Sequence, residues 1–242
     1  MTTKQKTVIV TGASQGIGAA IANLFIDRGY NVVANSRNIS SRNTLHRSDS
    51  LALVDGDIGL VETAEKLVST AVKRFGSLDA LVNNAGIFFA KPFTDYTPED
   101  FRRLVATNLD GFIHPTQLAV KQMLAQKSGG SIVSIGASIA DRPLSVFTAS
   151  VPMITKGGIN GISRSLAMEY AKQGIRVNVV APGVVDTPLL QEVPKDFLRT
   201  LSPLGQIARG EDIAEAVLYL TQASQVTGEV LYVDGGAHLG RW

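Results

Sequence analysis

The sequence predicts an α/β fold: a single doubly wound domain whose parallel seven-stranded sheet carries helices on both faces. Short apolar runs alternate with longer amphipathic stretches, an order that builds a parallel sheet covered by helices. Most of the short runs are rich in Val, Ile and Leu without strict alternation, as strands buried on both faces require. The strands are expected at Thr7–Val10, Asn31–Asn35, Leu51–Val54, Ala80–Val82, Ser131–Ile135, Ile175–Val180 and Val230–Val233. Helical patterns lie between them at Ile17–Arg28, Leu60–Phe75, Pro98–Lys127, Pro152–Gln173 and Glu211–Gln222. Gly29, Gly76 and Gly174 each follow a helical stretch, where a left-handed C-terminal cap is wanted. The Ser- and Asn-rich piece Asn35–Ser50 is too short to separate domains, so one domain is expected over residues 1–242.

Composition narrows the function. The chain has 242 residues and no cysteine, which removes disulfides, thiolate metal sites and cysteine nucleophiles; no metal site is expected. A net charge of +2 is too small to claim nucleic acid. No apolar run reaches the roughly 18 residues of a membrane span. Met1 to Thr7 is polar and lacks the apolar core of a signal peptide. A soluble, cytoplasmic protein with a small-molecule substrate is expected.

The first chemical signal follows the first strand directly. Thr11-Gly12-Ala13-Ser14-Gln15-Gly16-Ile17-Gly18 opens the first helix. Gly12 permits the tight turn, Gly16 lets backbone approach a pyrophosphate, and Gly18 allows close helix–strand packing. The helix N-terminus offers N–H groups and a positive dipole end to phosphates. A Rossmann-type dinucleotide site is expected here. At the end of the second strand, where a carboxylate would favour the ribose hydroxyl of NAD(H), stand Ser36 and Arg37, with Arg42 shortly after. A small hydroxyl beside a planar cationic fork suits a 2′-phosphate, so NADP(H) is favoured over NAD(H).

Further motifs follow in order: Asp57, Asn83-Asn84-Ala85-Gly86, Thr107-Asn108-Leu109, Pro182-Gly183 with Thr187, and Val233-Asp234-Gly235-Gly236. Together with Thr11–Gly18 they resemble the short-chain dehydrogenase/reductase family, from Val8 to Gly236. The resemblance implies cofactor contacts from Gly12, Ser14, Gln15, Gly16, Ile17 and Gly18, and from Asp57 and Ile58 at the adenine. It implies others from Asn83, Ala85 and Gly86 in the cleft, and from Pro182, Gly183, Val185 and Thr187 at the nicotinamide. Asn108 would hold a water in the proton relay, and Lys156 would bind the nicotinamide ribose.

The active-site helix departs from the family. Its pattern is Tyr-x-x-x-Lys, with a serine about 13 or 14 residues before the tyrosine. Counting back four from Lys156 gives Pro152. In the family that phenol exchanges a proton with the substrate oxygen; proline has no ionisable group. Proline is tolerated in a first helical turn, so the fold keeps what the usual chemistry loses. Ser138, 14 residues before Pro152, is the candidate serine, although aligning Ser134-Ile135-Gly136 with the family's strand puts Ala137 there. Substitutes for the phenol are open: His114, Asp141, Arg142, Ser145, Thr148, Ser150, or a water held by Asn108, Lys156 and Ser138. A preprotonated iminium substrate would need little proton donation.

A proline-bounded stretch, about 187–205, is expected to close over substrate, and its Phe197, Leu198 and Leu201 suggest an apolar one. By analogy the resemblance implies a homo-oligomer, tetramer or dimer, with Trp242 as a possible packing residue. The leading expectation is an NADP(H)-dependent oxidoreductase acting on a small carbonyl, alcohol or imine with a non-standard proton donor. The alternative is an NADP(H)-binding protein with little or no turnover. A third is a non-redox enzyme using the same cleft.

Overall fold

Strands Thr7–Val10 (β1), Asn31–Ser36 (β2), Leu51–Asp55 (β3), Ala80–Asn83 (β4), Gly130–Ile135 (β5), Ile175–Pro182 (β6) and Val230–Val233 (β7) form one sheet. Their order is β3-β2-β1-β4-β5-β6-β7, and every pairing is parallel. This computed structural model describes residues 5–240. Expectations for Met1–Lys4 and for Trp242 lie outside the described residues.

Alternate side chains of each strand supply two cores. Val8 and Val10 of β1, with Val82, Val133 and Val180, pack against helices Gly16–Asp27 (α1) and, near the chain's end, Gly210–Gln222. Ile9, Leu81, Ile132 and Val177 face the opposite layer. That layer contains Val61–Thr70 (α2), Pro98–Leu104 (α3), Gly111–Gln126 (α4) and Ser150–Tyr170 (α5). Lys195–Arg199 (α6) precedes Gly210–Gln222, which is α7. Both faces are covered, which is why these strands read as continuous apolar runs.

The helical stretch expected at Pro98–Lys127 is continuous but not uniform. A π-helical turn, Val105–Asp110, joins α3 to α4, and Asn108 is its buried residue. Single π turns of this kind are frequent at functional sites. A Thr97–Asp100 capping box starts α3, and the Lys91 ammonium 2.7 Å from Asp100 holds that carboxyl down to about 2. Gly29, Gly76 and Gly174 all have left-handed φ at their helix ends, at 78°, 79° and 71°. Helix α5 begins two residues earlier than the pattern predicts, so Pro152 is its third residue and stays within the first turn.

Strand order reverses between β2-β1 and β4, and the crevice beyond the carboxyl ends at that switch is where such sheets bind ligands.

Candidate active site

A cleft of about 660 Å³ crosses the carboxyl edge of the sheet. Its floor is the glycine turn between β1 and α1. Gly12 has φ +66°, and a Cβ there would lie 2.8 Å from the Ala85 Cα. Gly16 has φ +54° and abuts Thr187. A Cβ on Gly18 would collide with the Gly12 carbonyl oxygen and the Asn84 amide. Gly12 and Gly18 therefore leave no room for a side chain, an L side chain at Gly16 would be strained by its φ, and the first residues of α1 line the cleft.

Thr11 and Asn84 hold that turn. The Thr11 hydroxyl accepts the Asn84 and Ala85 N–H groups at 3.1 and 3.0 Å. Asn84 Nδ2 donates to the Thr11 and Gly12 carbonyls at 2.9 and 3.1 Å. Asn83, the expected cleft residue, lies outside it: its amide donates to Thr116 in α4 at 2.9 Å. Strand alternation explains the swap, since Asn83 shares the face of Leu81, which packs on the α4 side. Gly18→Ala should cost about 1–3 kcal/mol of stability through overpacking. It should also weaken dinucleotide binding at least tenfold, read by thermal melts and cofactor fluorescence titration.

The expected residues Ser14, Gln15 and Ile17 line the same turn, and Ser36, Arg37, Asp57 and Ile58 line the β2–β3 end. Asn35, which the sequence motifs did not single out, stiffens that end by donating to the Val54 and Gly56 carbonyls at 3.0 and 3.1 Å. Asp57 accepts the Gly59 N–H at 2.9 Å. Arg42 lies outside the cleft. Ala85, Gly86, Pro182, Gly183, Val185 and Thr187 line the other end, with Leu189, Leu190 and Leu201 from the 187–205 stretch.

At that end Ala137, Ser138 and Lys156 all reach the cleft. Lys156 Nζ donates to the Ile135 carbonyl at 2.8 Å, and burial pushes its ammonium from the usual 10.5 down to about 8. Asn108 does not line the cleft. Its Oδ1 accepts the Ile87 N–H at 2.8 Å, and its Nδ2 donates to the Ile87 carbonyl and Thr155 hydroxyl, each at 3.0 Å. Both amide hydrogens are thereby engaged by protein, so this side chain fixes the backbone beside Gly86 instead of offering a hydrogen to the cleft. Thr155 in turn donates to the Pro152 carbonyl at 2.8 Å.

The other candidate acids are elsewhere. Pro152 is buried and absent from the cleft lining. His114 sits half-buried on α4, also outside it. Asp141 accepts Asn160 Nδ2 at 2.9 Å and the Tyr232 hydroxyl at 2.8 Å. Arg142 and Ser145 are exposed and line no part of the cleft. Thr148 and Ser150 line a neighbouring cavity. Among the described cleft residues, Lys156 is the titratable side chain at the end lined by Pro182 and Thr187; Arg37 and Asp57 belong to the opposite end.

The chain is similar to known proteins over nearly its whole length. Residues 12–238 match the family described as Enoyl-(Acyl carrier protein) reductase. The chain is 36% identical to 3beta-hydroxysteroid dehydrogenase 1 of Eggerthella lenta, over 98% of this chain and 95% of that protein. Its fold superposes, with a TM-score of 0.90 and 31% identity, on 3-ketoacyl-(acyl-carrier-protein) reductase of Brucella melitensis complexed with NADH, covering 98% and 100% of the two chains. ElxO with NADP bound gives a TM-score of 0.88 at 28% identity, covering 98% of this chain and 100% of that one.

Proposed function

The chain belongs to the short-chain dehydrogenase/reductase family, an NAD(P)-dependent oxidoreductase group, and on that premise we propose that it reduces a small apolar carbonyl or imine with NADPH, using Lys156 in place of the missing phenol. The observation that carries this reading is the cleft itself. A glycine cradle closed to a Cβ at Gly12 and Gly18 forms its floor, and a desolvated lysine lines it together with Ser138.

The cradle fits a dinucleotide. Gly12, Gly16 and Gly18 would take its pyrophosphate at the α1 N-terminus, Asp57 and Ile58 its adenine, and Thr187 with Pro182, Gly183 and Val185 its nicotinamide end. Ser36 and Arg37 would receive a 2′-phosphate. A reduced nicotinamide held there supplies hydride to the substrate carbon. Every other task falls to side chains. The Ser138 hydroxyl binds and orients the substrate oxygen, with Ala137 beside it leaving space. The Lys156 ammonium gives its proton to that oxygen as negative charge develops there, and solvent restores it. Asn108 is a positioning residue that holds Ile87 and Thr155. The apolar 187–205 stretch closes over the substrate and excludes water.

Cofactor preference is directly testable. Fluorescence titration should show NADPH binding at least tenfold tighter than NADH, and Arg37→Asp should reverse that order. Tighter NADH binding by the unmodified chain would defeat the assignment of Ser36 and Arg37. Pro152 favours a second reading, an NADP(H)-binding protein with little or no turnover. Unaltered bound NADPH across a panel of ketones and imines would select it.

A further inference from the structure

Ser138 stands at the head of a single 3₁₀ turn, Ser138–Ala140, at the exit of β5. Two backbone bonds close it: the Ala140 N–H donates to the Ala137 carbonyl and the Arg142 N–H to the Ser138 carbonyl, each at 3.1 Å. One such turn has too few bonds to hold a set position on its own. Beyond it the chain is exposed at Asp141, Arg142 and Pro143. Ser138 itself is buried and lines the cleft. Its placement depends on a tie from outside the turn.

Asp141 supplies that tie. Asn160 Nδ2 and the Tyr232 hydroxyl both donate to its Oδ2, at 2.9 and 2.8 Å. Among the described residues, these are the side-chain hydrogen bonds that reach the serine turn. Asn160 follows Lys156 by about one helical turn on α5, and Tyr232 belongs to β7. One carboxylate oxygen therefore joins the serine turn to the helix that carries Lys156 and to the last strand of the sheet.

Both donors are committed to it. Asn160 is buried, and its Oδ1 has no partner among the described residues. An unpaired amide oxygen in the interior is costly, and an aliphatic side chain would fill the site without that cost. What the amide adds is its donor to Asp141. Tyr232 is held from the other side, where its ring stacks on His238 with centroids 4.2 Å apart. His238 Nδ1 lies 2.9 Å from Asp234 Oδ1, and Asp234 is buried. Burial and the Asp141 carboxylate raise the Tyr232 phenol above its usual 10, so it remains a donor through neutral pH.

We infer that Asp141 is a positioning residue: by bridging Asn160 and Tyr232 it fixes the turn that presents Ser138 to the substrate oxygen. Asp141 is itself absent from the cleft lining, so it acts through Ser138. The inference rests on the carbonyl-reductase reading, in which Ser138 orients that oxygen, and adds the residue that orients Ser138. A misplacement of about 1 Å costs on the order of 10²-fold in rate, so loosening this turn acts on catalysis while the glycine cradle stays as it is.

Amide hydrogen exchange tests the tie without turnover. In Asp141→Ala the Ala140 and Arg142 amides should exchange at least about tenfold faster than in the unmodified protein. Asp141→Asn should restore slow exchange, because one amide oxygen accepts both donors. Unchanged exchange in Asp141→Ala overturns the inference. Reduction of butan-2-one by NADPH tests the role. Asp141→Ala should lower kcat by about 10- to 100-fold with NADPH affinity within about twofold, and Asp141→Asn should recover kcat to within about threefold. In a Ser138→Ala background the Asp141→Ala change should cost less than about twofold, because no hydroxyl remains to be placed. The full loss in that background, or an unchanged kcat in Asp141→Ala, overturns the inference. Absence of turnover in the unmodified protein defeats the reductase reading alone, and exchange then decides the tie by itself.

Discussion

Pro152→Tyr is expected to raise ketone reduction by about 10²-fold, the lower end of what a positioned general acid contributes. Residues 152 and 156 are one turn apart on the same face of α5, so a phenol at 152 would sit beside the Lys156 ammonium. The lysine would lower the phenol's pKa and make it the better acid. The exchange keeps the local hydrogen bonds. Thr155 bonds to the carbonyl of residue 152, which any amino acid supplies, and tyrosine adds a backbone N–H in a first turn that tolerates either residue. Steady-state reduction of a short ketone by NADPH measures the gain. A folded variant that binds NADPH as tightly as before but shows no gain would mean that Ser138 and Lys156 are not in register for hydride chemistry.

Lys156→Met should have the opposite effect, lowering turnover by about 10²–10⁴-fold as a general acid is lost. Charge and stability should separate in this variant. The folded protein holds the lysine down to about 8 against 10.5 in ordinary surroundings, so charging it is disfavoured in the native state. Between those values the unfolded chain holds a proton that the folded chain releases, and native stability rises with pH. That rise should vanish in Lys156→Met, and the variant should melt no lower than the parent near neutral pH. Activity of the parent should run the other way. With the ammonium as the proposed acid, reduction should fall as pH rises through about 8 and above. A flat profile over that range in the unmodified protein would remove Lys156 from the proton step.

The agreement between sequence pattern and structure has a physical boundary. Strands buried on both faces leave runs of Val, Ile and Leu, and the glycine turn must be glycine because a Cβ would strike Ala85 or the Gly12 carbonyl. Both signals are written in residue type. The π-helical turn at Val105–Asp110 is not, because it leaves the apolar spacing of Pro98–Lys127 nearly unchanged. The exchange of roles between Asn83 and Asn84 lay within reach, since alternation along β4 places Asn83 with Leu81 under α4. Ile139, Leu144 and Phe147 fall in a loop without period, so nothing local shows that they line the cleft. Asp141 could have served substrate until its two donors, Asn160 and Tyr232, were seen to come from residues 19 and 91 positions away. The choice between Ala137 and Ser138 has a similar origin, because a one-residue shift in a turn moves either toward the cleft, and both line it.

The most direct test is a single-turnover experiment on the unmodified chain. Protein in excess over NADPH is mixed with an uncharged ketone, and nicotinamide fluorescence is followed in time. Enhanced fluorescence on binding, then first-order loss on adding the ketone with one equivalent of alcohol formed, is the predicted result. NADPH that binds and stays reduced whatever carbonyl or imine is added, or that does not bind at all, would contradict it.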